Sequence, residues 1–81
     1  METAYVLVKS KMAHEMEVMN DILKIDVVKE VKGTFGVYDI FVKIEASTSK
    51  EVEDAITKQI RKVKNVISTT TLSVIPDQNK K

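Results

Sequence analysis

The sequence has no cysteine and no tryptophan, a single histidine, one proline and two glycines. Without cysteine the chain can form no disulfide, thiolate metal site or thiol nucleophile, and one histidine argues against a structural metal. No apolar run approaches the roughly 18 residues of a membrane span, and the amino terminus lacks a basic stretch followed by an apolar one. We therefore expect a cytoplasmic protein that needs neither a metal nor a cofactor.

An excess of either charge is also missing. Lysine and arginine total 13 against 12 for aspartate and glutamate, which gives a net charge of +1. Nucleic-acid modules usually carry a marked basic excess, because phosphate neutralisation supplies most of their affinity. One basic cluster is expected to be the solvated end of a helix, where cations complement the dipole; it comprises Lys58, Arg61, Lys62 and Lys64. We predict no sequence-specific binding to duplex DNA and no membrane association.

The chain is short, at 81 residues, and 43% of them are apolar. A domain of this size buries only about 60–65% of the surface that its unfolded chain exposes. Since disulfides and metals are excluded, self-association is the remaining ordinary way to bury more apolar surface. We expect one domain over residues 1–76 and a polar tail over residues 77–81.

Apolar periodicity predicts the element order β-α-β-β-α-β. The predicted strands span residues 3–9, 27–34, 37–46 and 66–75, and Pro76 ends the last one. Gly33 and Gly36 lie between the second and third strands, which indicates a hairpin connection. Right-handed crossovers then place both helices on one face of an antiparallel sheet, which is the ferredoxin-like α+β fold.

The two predicted helices are indicated by different sequence signals. In the first, an apolar stripe is expected to face the core and Ser10 to be the N-cap; the stripe comprises Met12, Met16, Met19, Leu23 and Ile22. In the second, Thr48 and Glu51 have the spacing of a capping box, and Asn65 marks the end. Its predicted core positions are Val52, Ala55, Ile56, Ile60 and Val63.

The first strand is apolar on both faces. Ala4, Val6 and Val8 point one way, whereas Tyr5 and Leu7 point the other. With both helices on one side, the other side stays open and includes Phe41 of the third strand. An exposed apolar sheet face implies a partner. Two sheets packed face to face would form a dimeric α/β barrel, with Tyr5, Leu7 and Phe41 in the dimer interface.

Candidates for catalysis are few. His14 is expected at the surface near the start of the first helix, and no nucleophile, base or acid can be grouped with it from motifs. Gly33 and Gly36 do not precede a helix, so they do not form a phosphate-binding loop. We predict no catalytic residues and no enzymatic activity.

Two segments have the chemistry of a small-molecule site. Gly36 lets a ligand approach the backbone, Tyr38 offers a ring and a hydroxyl, and Asp39 offers a negative charge for a cation or zwitterion. The alternative is structural: Gly36 serves the turn, Tyr38 fills the core and Asp39 caps a loop amide. Thr69 and Thr71 could likewise donate to a ligand carboxylate or belong to a solvent-facing row of hydroxyls.

The stretch from Val31 to Ile44, VKGTFGVYDIFVKI, resembles the pattern V-x-G-x-Y-D-x-x-V-K-V of the effector-binding domain of Lrp/AsnC transcription regulators. The stretch from Val66 to Ile75, VISTTTLSVI, is similar to the closing pattern V-x-x-T-x-T-x-x-V-L of that family. In this chain the segment from Gly33 to Gly36 precedes the Val-Tyr-Asp of the motif, and it is slightly longer than the corresponding segment in the commonest form of the pattern. The resemblance covers about residues 3–75.

The resemblance implies an amino-acid-sensing and oligomerisation domain that modulates transcription. It places the effector near Gly36, Tyr38, Asp39, Thr69 and Thr71, between dimers that assemble further into rings. Only Met1 and Glu2 precede the first strand, so we expect a stand-alone domain without the usual helix-turn-helix, able to assemble with full-length Lrp/AsnC regulators. Two alternatives share the element order: a small dimeric α/β-barrel enzyme of monooxygenase type, and an ACT-like amino-acid-binding domain.

Overall fold

The structure is a computed structural model that describes residues 1–73, without the side chain of Ser73. The predicted end of the last strand at residues 74–75, its stop at Pro76 and the predicted tail at 77–81 lie outside the described residues. No helix within residues 1–73 is long and apolar enough to cross a lipid bilayer.

The elements follow the predicted order β-α-β-β-α-β. They are β1 (Glu2–Ser10), α1 (Glu15–Leu23), β2 (Val28–Gly33), β3 (Ile40–Ala46), α2 (Ser49–Asp54) and β4 (Val66–Ser73). The sheet order is β2-β3-β1-β4, and each pair of neighbours is antiparallel. This topology confirms the ferredoxin-like α+β fold. It also makes β1 a central strand, flanked by β3 and β4.

The hydrophobic core lies between the helices and one face of the sheet. Alternate residues of β3 are buried, and so are their partners on β1: Val6 pairs with Val42, and Val8 with Ile40. The helical segments cover them with Val18, Ile22, Ile56 and Ile60. Each side chain of this size contributes roughly 1.5–3 kcal/mol when it is fully buried. The strict alternation in β3 is what the sequence predicts for a half-buried strand.

The predicted core stripe of the first helix is confirmed at Ile22, which is buried, and is wrong at Met12, Met16 and Leu23. Met12 is 85% exposed, Met16 68% and Leu23 52%, and the side chains that reach the core are Val18 and Ile22. At 100° per residue, the apolar positions of α1 spread over roughly 160° of its circumference. The apolar pattern alone therefore does not decide which part of this arc faces the core. The end of that arc with Val18 and Ile22 faces the core, so from the predicted stripe only Ile22 is buried, and Met19 packs partly against the core.

Ser10 is not the N-cap of α1. Strand β1 continues through Ser10, which is buried, and the chain then turns through Ala13 with a positive φ of 71°. His14 occupies the N-cap position and makes no side-chain capping bond there. The helix therefore starts later than expected because the strand is longer than expected.

The predicted capping box of the second helix is confirmed. The Thr48 hydroxyl accepts from the backbone N–H of Glu51 at 3.1 Å, and the Glu51 carboxylate accepts from the Thr48 N–H at 3.2 Å. The predicted core positions are buried except Val63, which is partly exposed. After α2 the helix changes to a π-helical segment, Ala55–Gln59, and then a 3-10 turn, Ile60–Lys62. Asn65 follows in the left-handed region with φ of 73°.

Candidate functional site

The connection between β2 and β3, which we call the Gly36 loop (residues 34–39), is closed by two hydrogen bonds of Thr34. Its N–H donates to the carbonyl of Asp39 at 2.8 Å, and its hydroxyl donates to the carbonyl of Tyr38 at 2.7 Å. Gly36 has φ of +125°, and a Cβ placed there would meet nothing within 4 Å. Glycine is therefore needed for the backbone conformation of the loop, not for the space around it.

Asp39 fastens this loop to the end of β1. Its Oδ2 accepts from the N–H of Ser10 at 2.9 Å in a partly buried position, and its own N–H donates to the carbonyl of Val8 at 3.0 Å. The Ser10 bond lies next to the irregularity in the β1–β4 pairing between Lys9 and Ser10. Among the described residues, the Asp39 carboxylate makes no other hydrogen bond or ion pair. One carboxylate oxygen is thus hydrogen-bonded to the backbone of β1, and the other has no hydrogen-bond partner within residues 1–73.

Tyr38 does not share the face of Ile40 and Val42, contrary to the alternation predicted for residues 37–46. Strand β3 begins only at Ile40, so Tyr38 belongs to the loop and is not bound by the strand pattern. Its hydroxyl lies 2.7 Å from the hydroxyl of Thr70 on β4. Because β1 lies between β3 and β4, this bond joins the Gly36 loop to β4 across β1.

Thr69 and Thr71 lie on the helix-covered face of the sheet. They pair with Val8 and Val6, whose side chains are in the core, and the Nε of Arg61 donates to the Thr69 hydroxyl at 3.1 Å. Thr70 pairs with Leu7 and points to the opposite face. Within one chain, the structure therefore brings Gly36, Tyr38 and Asp39 together and leaves Thr69 and Thr71 apart from them.

Thr70 is the hydroxyl that sequence reasoning missed. Three consecutive threonines gave no indication of which ones face the helices, since both faces of the neighbouring strand β1 are apolar. The missing information was the pairing register of β4 with β1, in which a shift by one residue exchanges the two faces.

The open face, meaning the side of the sheet opposite the helices, carries an apolar cluster. The rings of Tyr5 and Phe41 stack with centroids 5.3 Å apart, Leu7 pairs with Phe41, and Leu72 on β4 is 50% exposed. Ion pairs lie beside it, Lys43–Glu45 at 3.5 Å and Lys32–Glu30 at 2.9 Å. The hydrogen bond from Lys32, together with its charge, holds the pKa of Glu30 below its ordinary value.

His14 makes contacts that connect distant parts of the chain. Its Nδ1 lies 2.9 Å from a carboxylate oxygen of Glu17, to which it donates when it carries the proton, and 3.3 Å from the side-chain nitrogen of Asn65, from which it accepts when it does not. The hydrogen bond to His14, and then the charge of its ring, lower the pKa of Glu17. These contacts join the start of α1 to the segment before β4, which is a structural role.

Comparisons with known proteins place the chain in a family. The sequence profile of the Lrp/AsnC ligand binding domain matches residues 3–78. Two solved structures are each 37% identical over 93% of this chain: FFRP-DM1, with a TM-score of 0.88 over 100% of its length, and the hypothetical protein PHS023 from Pyrococcus horikoshii, with 0.86 over 90%. No curated protein sequence matches significantly.

A third structure shows the same fold within a longer protein. It is the transcriptional regulator NMB0573 from Neisseria meningitidis in complex with L-Met, with a TM-score of 0.80 and 11% identity; 98% of this chain aligns with 53% of that one. Fold and profile together define a regulatory ligand-binding domain. The chain belongs to the Lrp/AsnC family, and the resemblance seen in its sequence is confirmed.

Two substitutions at Asp39 distinguish the contribution of its hydrogen bond to stability from the contribution of its charge. Asp39→Ala leaves the Ser10 N–H without its partner and should lower the free energy of unfolding by about 1–3 kcal/mol. Asp39→Asn keeps an acceptor oxygen and should cost clearly less. Urea unfolding followed by circular dichroism measures both variants. Equal losses for the two would show that the bond to Ser10 does not support the fold.

Proposed function

We propose that residues 1–76 form an effector-binding and oligomerisation domain that binds an amino acid at the Gly36 loop and changes its assembly in response. The observation that carries the proposal is the Asp39 carboxylate, held in place by the Ser10 N–H with one oxygen still available. A fixed, partly buried negative charge favours a cationic partner, and the ammonium group of an amino acid supplies one. The L-Met bound to the Neisseria meningitidis regulator supports an amino acid as ligand.

The carboxylate end of the ligand requires donors that this loop does not offer alone. Thr69 and Thr71, predicted from the sequence as those donors, face the other side of the sheet in the same chain. We therefore place the complete site at a boundary between copies, where Gly36, Tyr38 and Asp39 of one copy meet hydroxyls of a neighbour. A ligand that bridges such a boundary stabilises the assembly that contains it.

The open face supports the first step of that assembly, a dimer of sheets. Tyr5, Leu7 and Phe41 are half-buried in the single chain, and a second copy packed on them would complete a dimeric α/β barrel. Dimers would then associate into rings through the Gly36 loops. Full-length Lrp/AsnC regulators carrying the same domain are the proposed partners in mixed assemblies, through which the chain would modulate transcription.

The dimer proposal is tested by placing a charge on the open face. Leu7→Asp should shift the protein from dimer or larger species to monomer at micromolar concentration, because a buried charge without a partner is costly. Sedimentation velocity gives the species distribution. Leu23→Asp is the matched control, since Leu23 is exposed on α1, and it should leave the assembly unchanged. A wild-type protein that sediments as a stable, folded 9.1 kDa monomer would contradict the dimer.

The ligand proposal is tested at Asp39. A thermal-shift screen of the twenty amino acids selects the ligand, and calorimetry then compares Asp39→Asn with wild type. Loss of a charge-assisted hydrogen bond should weaken binding roughly 10–150-fold. Asp26→Asn, at an exposed position between α1 and β2, is the control and should bind normally. Unchanged affinity in Asp39→Asn would mean that Asp39 serves the fold alone.

A further inference from the structure

His14 contacts two side chains through a single ring nitrogen. Its Nδ1 faces the Glu17 carboxylate at 2.9 Å and the Asn65 side-chain nitrogen at 3.3 Å. An ionised carboxylate can only accept and an amide nitrogen can only donate, whereas Nδ1 donates when it is protonated and accepts when it is not. The two hydrogen bonds therefore exclude each other, and the proton on Nδ1 decides which of them forms.

The two partners differ in how much they depend on His14. The Glu17 side chain is 69% exposed, and besides His14 the charge of Lys64 lowers its pKa, so this carboxylate has water and a second cation nearby. Asn65 is partly buried, and within residues 1–73 its side chain makes no hydrogen bond except the one to His14. An unpaired donor costs more in a partly buried position than an unpaired carboxylate costs in water. Neutral His14 is therefore expected to carry its proton on Nε2 and to accept from Asn65 at Nδ1.

Asn65 connects the turn after β1 to the start of β4. Its backbone is left-handed, with φ of 73°, and its carbonyl accepts from the Lys11 N–H at 2.8 Å. The next residue, Val66, pairs with Ser10 beside the irregularity in the β1–β4 pairing. A residue other than glycine keeps a left-handed conformation only where surrounding contacts support it. The bond to His14 is one of those contacts, so its loss should loosen the start of β4.

The surroundings of His14 let its charge change freely. The side chain is 38% exposed, so water reaches the ring and can exchange protons with it. The segments that meet at His14 carry charged residues of both signs, which are Glu15 and Glu17 of α1, Lys11 of the turn before α1 and Lys64 beside Asn65. Of these, only Glu17 lies within hydrogen-bond distance of the ring in the described part of the chain. Histidine is the side chain whose charge ordinarily changes between about pH 5 and 8.

We propose that His14 is a proton-dependent contact between the start of α1 and the start of β4. Neutral His14 accepts from the Asn65 side chain and fastens the segment before β4 to α1. When the ring gains a proton, Nδ1–H donates to Glu17 and meets the Asn65 amide donor with a second donor, so the contact to β4 opens. The core stays closed, because Val18 and Ile22 take no part in the exchange. The contact lies within one chain and does not depend on a ligand at the Gly36 loop.

Nuclear magnetic resonance of the full 81-residue chain between about pH 5 and pH 8 tests the contact directly. Long-range nitrogen–proton correlations of the imidazole identify which ring nitrogen is protonated, and neutral His14 is expected to carry its proton on Nε2. The side-chain amide signals of Asn65 should move with the same midpoint as the ring signals. With His14 protonated, the Lys11 N–H should exchange about two- to tenfold faster, after correction for the pH dependence of chemical exchange. Neutral His14 protonated on Nδ1, or Asn65 signals that do not follow the ring, would overturn the proposal.

Two variants of Asn65 with a matched control test the direction of the response. Asn65→Asp places an acceptor where the amide donor was and tolerates the left-handed backbone, so the contact should form with protonated His14 and the pH dependence of Lys11 exchange should reverse. Asn65→Gly keeps the backbone conformation accessible and should abolish the pH dependence. Asn20→Ala removes an exposed amide of α1 and should respond as wild type. The wild-type pH response in Asn65→Asp, or in Asn65→Gly if the first variant does not fold, would overturn the assignment.

Discussion

Strand β1 has apolar side chains on both faces, and a single chain covers only one of them. Val6 and Val8 are fully buried against the helices, whereas Tyr5 and Leu7 remain half-buried on the open face. β1 pairs with both of its neighbours, β3 and β4, in a defined register. A shift of β1 by one residue would move Val6 and Val8 to the open face and disrupt the core. A short chain without disulfides has few other ways to stabilise this arrangement. Packing against a second copy, as proposed, would bury the apolar face of β1 that the single chain leaves open.

The far end of β1 connects that constraint to the candidate ligand site. At Ser10 the strand meets the Asp39 carboxylate, and β4 pairs irregularly at the same point. The Tyr38–Thr70 bond spans the same end of the strand. In the proposed site, a ligand on Asp39 would therefore lie at the edge of the surface on which the proposed dimer forms. In the proposed mechanism, this proximity lets a small molecule act on assembly without catalysis.

The sequence predicted the features that depend on local pattern. The order of elements, the alternation in β3 and the capping box at Thr48 and Glu51 all derive from spacing within a few residues, and the structure confirms them. The phase of α1 could not be derived in this way, because the apolar positions covered too wide an arc to select Val18 and Ile22 over the methionines. The π-helical segment had no sequence signal that was recognised.

The candidate site was predictable only in its loop half. Gly36, Tyr38 and Asp39 are close in sequence, so a motif could identify them, and positive φ at Gly36 agrees with a glycine-dependent turn. The face of Thr69 and Thr71 depends on the β1–β4 register, which is a long-range property. Arg61 was interpreted only as part of a solvated helix end, yet its Nε–H donates to the Thr69 hydroxyl.

The central claim is that ligand binding at the Gly36 loop and assembly are thermodynamically coupled. Linkage requires that each strengthens the other by the same factor. The most direct measurement is the affinity for the amino acid found by screening, determined over a range of protein concentrations that spans the association transition. Coupling predicts that affinity rises as the protein assembles and reaches a plateau in the assembled state. An affinity that is the same for dissociated and assembled protein would contradict it.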